Sequence, residues 1–255
     1  MKIFLVLVLF FYINLFADKV KSTSYGNNIT YTKMLLLSTM STPEYAKKRN
    51  VKMEYIKSIK MFADDKLVLK IKTTPYLSRN PLIKLAQTNI DAKKIVVKYV
   101  DNFDNVKSFK TEIKRKNKEF EFKEYEKVIY TPPLRVSKNI KDVELGEITE
   151  IFGNVKFLEK DMYVHLPQLA ANAGSVPLIV RPNVDVKSLS VFTSIDNKMK
   201  LVCRFFPQKK YNILEYNLKF KMKASSFMQV IIEDKNGKFY RIKKYIFISL
   251  GGGDQ

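Results

Sequence analysis

Hydrophobic and polar residues alternate with a period of two along most of the chain. In residues 66–72, Leu67, Leu69 and Ile71 fall on one side of this alternation and lysines mostly on the other. Successive side chains of a β-strand point to opposite faces, so the alternation predicts a strand with one buried face. The same pattern predicts further strands in residues 94–100, 106–113, 186–195, 199–206, 212–219, 227–232 and 238–250.

Short polar breaks separate these segments and predict tight hairpins. They lie at residues 64–65, 101–102, 196–197 and 234–237 and consist almost entirely of Asp, Asn, Lys and Gly. Asn, Asp and Gly accept the left-handed backbone that such turns require. Many short strands joined in this way favour antiparallel β-sandwiches.

Helical signals are few. Thr42, Pro43 and Glu44 can cap and begin a helix that would extend towards residue 57. Val51 and Tyr55 suit an extended loop equally well, so both possibilities stay open for this segment.

The chain divides near its middle. Residues 114–128 are dense in charge, and Pro132 and Pro133 follow. Consecutive prolines remove backbone donors that the interior of a sheet requires. We therefore predict a charged linker at 114–150 between two blocks, residues 18–113 and 151–255, each of the usual size of one β-sandwich.

Residues 1–17 have the pattern of a secretory signal. Lys2 precedes an apolar run from Ile3 to Phe16, which is shorter than the ~20 residues that span a bilayer. We predict cleavage after Ala17, with Leu15 at the −3 position leaving an uncleaved anchor as the alternative. The mature protein is expected to be periplasmic and free of the membrane.

The composition restricts the possible chemistry. The chain has 1 Cys and 1 His, whereas a zinc site built from such ligands needs about four. Cys203 follows the strand alternation, and a lone cysteine in a strand is usually a small buried hydrophobe. His165 has no second ligand and no nucleophile motif near it, so we expect a structural role. The sequence therefore predicts no enzyme activity, no cofactor and no catalytic, cofactor-binding or metal-binding residue.

The formal net charge is +21, from 46 Lys+Arg against 25 Asp+Glu. Lysine-rich stretches at 107–118 and 219–223 raise the possibility of nucleic-acid or lipid binding. An exported protein does not meet chromosomal DNA, however, and the lysines mostly alternate as on a solvated strand face. We predict no nucleic-acid partner and keep attraction of an acidic protein, or of small anions, as the alternative to a plain solvated surface.

The C-terminal block contains a Leu166-Pro167 pair, a turn of small residues around Asn172, a Phe-x-Pro segment ending at Pro207 and a basic strand leading into a glycine-rich tail. In these features it resembles SoxY, the carrier subunit of the periplasmic thiosulfate-oxidising (Sox) system. The resemblance keeps this order over about residues 150–255.

The N-terminal block contains two short motifs, Ser78-Arg79-Asn80-Pro81 and residues 98–102. They resemble the Ser-Lys-Asn-Pro loop and the Trp-x-Asp-Asn turn of SoxZ, the partner of that carrier. Residues 38–41 keep only part of the His-Pro-Met-Glu loop expected upstream, without its histidine. The family implies two immunoglobulin-like sandwiches that pack as an intramolecular pair.

One departure bears on function. The resemblance implies a cysteine within the glycine-rich tail that carries the sulfur intermediate as a thiolate-derived adduct. Here the tail reads Gly251-Gly252-Gly253, with Gly253 at the position of that cysteine, so these glycines form a degenerate carrier arm. The leading hypothesis is a Sox-type carrier homologue that acts as a binding or scaffold module with other periplasmic sulfur-oxidation proteins. The alternative is an accessory protein of another periplasmic oxidoreductase, such as a quinoprotein dehydrogenase.

Overall fold

The computed structural model describes residues 18–88, 90–125 and 144–249. The predicted signal at 1–17, residues 126–143 of the predicted linker and the predicted arm residues Gly251, Gly252 and Gly253 lie outside these ranges. The described part of the N-terminal half contains seven strands and one helix: β1 (Lys19–Tyr25), β2 (Thr30–Leu35), α1 (Pro43–Arg49), β3 (Ile56–Ala63), β4 (Lys66–Thr73), β5 (Leu82–Thr88), β6 (Lys94–Asp101) and β7 (Val106–Lys116).

The described part of the C-terminal half contains one helix and nine strands. They are α2 (Glu147–Phe152), β8 (Phe157–Leu158), β9 (Tyr163–His165), β10 (Leu169–Ala170), β11 (Val176–Arg181), β12 (Val186–Ile195), β13 (Lys198–Pro207), β14 (Asn212–Phe220), β15 (Ser226–Asp234) and β16 (Phe239–Ile248). The predicted all-β fold is confirmed, and each half is an immunoglobulin-like sandwich.

The strands form two layers that both run through the two halves. The first layer has the order β6-β3-β4-β13-β12-β15-β16, and the second has the order β1-β2-β5-β14-β11-β9. The halves meet at two antiparallel seams, β4 with β13 and β5 with β14. Each seam continues a sheet from one half into the other by backbone hydrogen bonds.

A single apolar core lies between the layers. Buried side chains of both halves belong to one continuous cluster, and Phe205 of the first layer meets Tyr216 of the second with ring centroids 5.0 Å apart. A smaller cluster on the outer face of the first layer lies under α2 and includes Ile148 and Phe192. Because the core is shared, the burial that stabilises one half also stabilises the other.

Strand β7 joins the two layers at the N-terminal edge. Its first part pairs antiparallel with β6, and its last part, from Ile113 to Lys116, pairs parallel with β1. Residues 114–116 of the predicted linker therefore belong to a strand, and residues 147–150 belong to α2. The linker boundaries remain a prediction, since residues 126–143 are not described.

The helix expected after Thr42 is short. The Thr42 Oγ1 accepts a hydrogen bond from the Tyr45 amide at 3.2 Å, and α1 ends at Arg49 because Asn50 adopts a left-handed backbone with φ 50°. Val51 to Tyr55 are not helical. The structure thus selects the extended loop for this stretch, and the N-cap was the reliable part of the signal.

Residues 117–125, which we call the strap, cross the outer face of the second layer. Phe120 stacks on Tyr31 with ring centroids 5.3 Å apart. The guanidinium carbon of Arg181 lies 4.7 Å from the centroid of the Phe122 ring. Between these aromatic positions the charged side chains of the strap are exposed. The strap therefore packs as an amphipathic extended segment.

Candidate functional site

The root of the predicted carrier arm is the end of β16, and it is fixed to a neighbouring strand. The Phe247 amide donates a hydrogen bond to the Gln168 carbonyl at 2.9 Å, and the Ser249 amide donates to the Ala170 carbonyl at 3.1 Å. These bonds extend the short parallel pairing of β10 with β16. The last described residues before the glycines are thus held in the sheet.

A turn of small residues lies directly beside this root. Within it the Asn172 Oδ1 accepts a hydrogen bond from the Gly174 amide at 2.8 Å. The Ala173 carbonyl accepts from the Met222 amide at 2.8 Å. An asparagine side chain that bonds two residues ahead fixes a turn without help from other elements. This is the turn around Asn172 whose sequence resembles the SoxY family.

The connection between β14 and β15, residues 221–225, links the root to the N-terminal half. At one end, the Ile248 amide donates to the Ser225 Oγ at 2.9 Å. At the other end, the Lys221 amide donates to the Tyr76 carbonyl at 2.8 Å. One short connection therefore contacts both the arm root and the opposite half.

Lys221 has unusual surroundings for a charged side chain. Its ammonium donates to the Met40 carbonyl of the N-terminal half. Burial, and then the nearby cation Arg79, lower the pKa of Lys221 to about 8. Among the described residues it forms no ion pair. A largely buried ammonium without a carboxylate is expensive to keep charged.

Two loops of the N-terminal half complete this end of the molecule. The Ser38 amide donates to the Asn80 Oδ1 at 3.1 Å, and the Asn80 amide donates to the Ser38 carbonyl at 2.9 Å. The Ser78 amide donates to the Lys219 carbonyl at 3.2 Å, across the β5–β14 seam. The turn beside the arm root and the loops at 38–41 and 78–81 thus lie at one end of the molecule, whereas Pro207, opposite Leu69, lies toward the other end of β13.

Cys203 lies elsewhere. It is fully buried in the core, where its β13 position is opposite Thr73 of β4, and burial raises the pKa of its thiol. The neighbouring Arg204 points to the outer face and donates to the Ser188 Oγ at 3.1 Å. This arrangement agrees with the opposite faces expected from the alternation, and it keeps the thiol from solvent.

His165 has no catalytic neighbours in the described residues. Its imidazole stacks on Tyr125 of the strap with ring centroids 4.2 Å apart. Burial lowers the pKa of His165, and the positive charges of Lys123 and Arg181 lower it further. The structural role expected for His165 agrees with this packing and stays a prediction.

The described residues contain no group of three or more His, Cys, Asp or Glu side chains able to hold a metal ion. In the same residues no helix has the length and apolar character needed to cross a membrane. The sequence did not single out Lys221 or the strap. Lys221 is one of many lysines, but the strap had a signal, since its aromatic residues alternate with charged ones at 119–122.

Comparisons with known proteins agree with the resemblance stated from the sequence. Residues 20–112 match the family model described as Sulphur oxidation protein SoxZ, and residues 148–253 match the one described as Sulfur oxidation protein SoxY. Among solved structures, the sulfur carrier protein SoxY from Chlorobium limicola f thiosulfatophilum matches at 22% identity and a TM-score of 0.34, covering 41% of this chain and 94% of that chain. A comparison with curated proteins finds no match.

Proposed function

We propose that this chain, in which a SoxZ domain is joined to a SoxY domain, is a carrier homologue that serves periplasmic sulfur oxidation as a binding or scaffold module and not as an enzyme. Both family matches concern sulfur-oxidation proteins, which supports the general role. Neither match concerns a quinoprotein dehydrogenase, so the alternative accessory role has no support.

The observation that carries the proposal is an anchored arm root combined with a buried thiol. The end of β16 is held by β10 and Ser225, as a carrier arm would require of its base. The sequence has glycine at 251–253, and its 1 cysteine is Cys203, which is fully buried. A thiol acts as a nucleophile only when it is accessible and can ionise. We therefore infer docking without covalent carriage of sulfur by this chain.

The pairing of the two domains within one chain is part of the proposal. The β4–β13 and β5–β14 seams support it, since both sheets continue across the domains. Lys221 supports it as well, because it links the arm side of the SoxY domain to a SoxZ loop. Other periplasmic sulfur-oxidation proteins are the partners that we propose for the assembled pair.

Intact-protein mass spectrometry tests the absence of covalent carriage. The purified chain is incubated with thiosulfate and Sox oxidising enzymes, with a cysteine-bearing SoxY–SoxZ pair as the positive control. We expect no mass increase on the unaltered chain and a thiosulfate adduct on the Gly253→Cys variant, because the docking surface would present the new thiol.

Two outcomes would contradict the proposal. An adduct on the unaltered chain that disappears in the Cys203→Ala variant would make this a carrier with a relocated thiol. A Gly253→Cys variant that stays unmodified while the positive control is loaded would show that the chain does not dock as a carrier homologue does.

Export to the periplasm is supported by the signal pattern of residues 1–17, with the mature N-terminus predicted at Asp18. Its carboxylate accepts hydrogen bonds from the Leu37 amide and from the Tyr99 hydroxyl, the latter at 3.2 Å. A chain that begins at Asp18 would thus keep every strand described here. N-terminal sequencing of protein from the periplasmic fraction should give Asp18 first, and a chain that begins at Met1 in the membrane fraction would contradict export.

A further inference from the structure

Three lysines stand side by side on the outer face of the second layer. Lys21 of β1 is directly opposite Lys33 of β2, and Lys33 is directly opposite Lys84 of β5. Side chains opposite each other on neighbouring strands have Cβ atoms about 4.5–5.5 Å apart, and like charges in such pairs are destabilising. The N-terminal half thus holds three cations in an arrangement that works against folding.

The row continues across the β5–β14 seam. Lys84 is opposite Asn217 of β14, and Lys219 follows two residues later on the same outer face. Lys21, Lys33 and Lys219 are exposed, whereas Lys84 is half-buried among them. Burial lowers the pKa of Lys84, the charges of Lys33, Lys219 and Lys123 lower it further, and the nearby Glu215 carboxylate raises it. The repulsion is therefore concentrated at the seam.

The carboxylates near this row are committed elsewhere. Glu215, on the same face of β14, accepts from the Arg181 Nε at 2.8 Å, and Glu124 of the strap pairs with the Arg181 Nη1 at 3.4 Å. Among the described residues, none of the four lysines forms an ion pair with a carboxylate. An anionic group from outside the chain would relieve a repulsion that Glu215 compensates only in part.

We propose that Lys21, Lys33, Lys84 and Lys219, the seam lysines, form a docking surface for an acidic segment of a partner protein. Neighbouring strands are about 4.8 Å apart, so the four charges extend over roughly 14 Å, a length suited to a short run of Asp or Glu side chains. The surface consists of described residues of β1, β2, β5 and β14, and the proposal does not depend on whether the chain handles sulfur.

The surroundings of the row favour a protein over a membrane or a nucleic acid. The exposed large hydrophobic side chains of the described residues are Tyr45, Val51, Phe103, Val106, Leu145 and Leu169. None of them lies on this face, so nothing on it would insert into a bilayer. Tyr25 and Tyr31, the nearby aromatic residues, are covered by Phe120 and are not free to stack on bases.

The other layer provides a matched control. Lys98, Lys60 and Lys70 are directly opposite one another across β6, β3 and β4, and all three are exposed. This control row has three lysines, as many as the triple variant removes from the seam lysines, and the same kind of register, but none of its members is half-buried at a seam. A purely non-specific attraction to the basic protein would use both rows equally.

Binding of a labelled decaglutamate peptide, measured by fluorescence anisotropy at low and at physiological ionic strength, tests the proposal. The Lys33→Gln, Lys84→Gln, Lys219→Gln variant should bind about tenfold more weakly than the unaltered chain, since each exposed charge contributes a modest amount. The Lys60→Gln, Lys70→Gln, Lys98→Gln variant should lose less than about twofold. The double variant Lys33→Gln, Lys219→Gln, which changes exposed residues alone, keeps the test valid if the triple variant is unstable.

Equal losses in both variants would overturn the proposal, because the binding would then follow net charge alone. Failure of the peptide to bind at physiological ionic strength would also overturn it. Vesicles of phosphatidylcholine and phosphatidylglycerol serve as the competing probe: if they bind through the seam lysines while the peptide does not, the surface recognises lipid and the proposal is wrong.

Discussion

Lys221 shows how one side chain can make folding depend on pH. The folded chain releases the Lys221 proton at a pKa of about 8, against an ordinary value of 10.5. Between these values the unfolded chain binds more protons than the folded chain, so the free energy of unfolding rises with pH. Below about pH 8 both states hold the proton, and the cost of burying the charge is present in full.

We therefore expect the stability of the unaltered chain to increase from pH 8 to pH 10 relative to that of the Lys221→Met variant. Urea unfolding of both proteins across this range measures the difference. Tyr31 and Tyr76, whose pKa values burial raises to about 12, affect both proteins alike and cancel. A constant difference between the two proteins would show that Lys221 is solvated.

Single residues were predictable where the strand alternation decided their side. Cys203 was expected to be a small buried hydrophobe, and it is fully buried, with its neighbour Arg204 on the opposite face of the strand. Lys221 was not predictable, because its burial follows from Met40, a residue 181 positions earlier in the chain. The alternation assigns a face to a residue but does not say what covers that face.

At the level of elements, the strap depends on one arginine. Arg181 lies between the rings of Phe122 and Tyr163, 4.7 and 4.3 Å from their centroids, and its Nη2 donates to the Lys123 carbonyl at 2.6 Å. It also pairs with Glu215, whose side chain is only 8% exposed. The same guanidinium thus compensates a buried carboxylate and holds the strap to the sheet.

The Arg181→Met variant should lose about 3–5 kcal/mol of stability, since it leaves Glu215 buried without a partner. It should also release the strap, so that limited trypsin digestion cuts after Lys123 much faster than in the unaltered chain. Adding Glu215→Gln should recover most of the stability without refastening the strap. Unchanged digestion at Lys123 would mean that the aromatic contacts hold the strap by themselves.

Elements were predictable in proportion to their regularity. The long strands β4, β6 and β12 to β16 have clear alternation, and the sequence located all of them within a few residues. The pairs and triplets of residues in β8, β9 and β10 are too short to show a period. The sequence predicted the strap as part of a charged linker, because its charged residues outnumber its aromatic residues. In the structure the aromatic residues determine how it packs.

At the scale of the whole molecule, the two halves should unfold as one unit. Phe205 of β13 is opposite Ile71 of β4 at the seam, and both are buried in the shared core. We expect one calorimetric transition whose calorimetric and van't Hoff enthalpies agree. Two resolved transitions in the unaltered chain would mean that the seams contribute little.

Replacing a large buried side chain at the seam by alanine should lower the midpoint temperature of that single transition without splitting it. Phe205→Ala should cost about 3–5 kcal/mol, as for other buried phenylalanines. Phe206, its half-buried neighbour on the outer face, provides the matched control. Phe206→Ala should cost less than half as much, and a Phe205→Ala variant that splits the transition in two would show that the halves fold independently.

The arrangement of the halves was less predictable than their folds. The resemblance implied a pair, but the alternation of a strand says nothing about which strand lies beside it. Both seams are formed by strands more than a hundred residues apart, and their registers depend on edges that exist only once each half has folded. The sequence therefore predicted two sandwiches and left their junction open.

The course of β7 has a consequence for self-association. A sheet edge with unpaired backbone groups invites strand addition from another molecule, which is a common start of aggregation. Because β7 pairs with β6 along its first part and with β1 along its last, it closes the N-terminal side of both layers. Among the described residues, the path of paired strands that links the two layers is interrupted only on the far side, where it ends at β9 in one layer and at β10 in the other. Fibre-like growth by edge-to-edge addition would thus be blocked at one end, and two copies joined through their SoxY sides would leave no edge for a third.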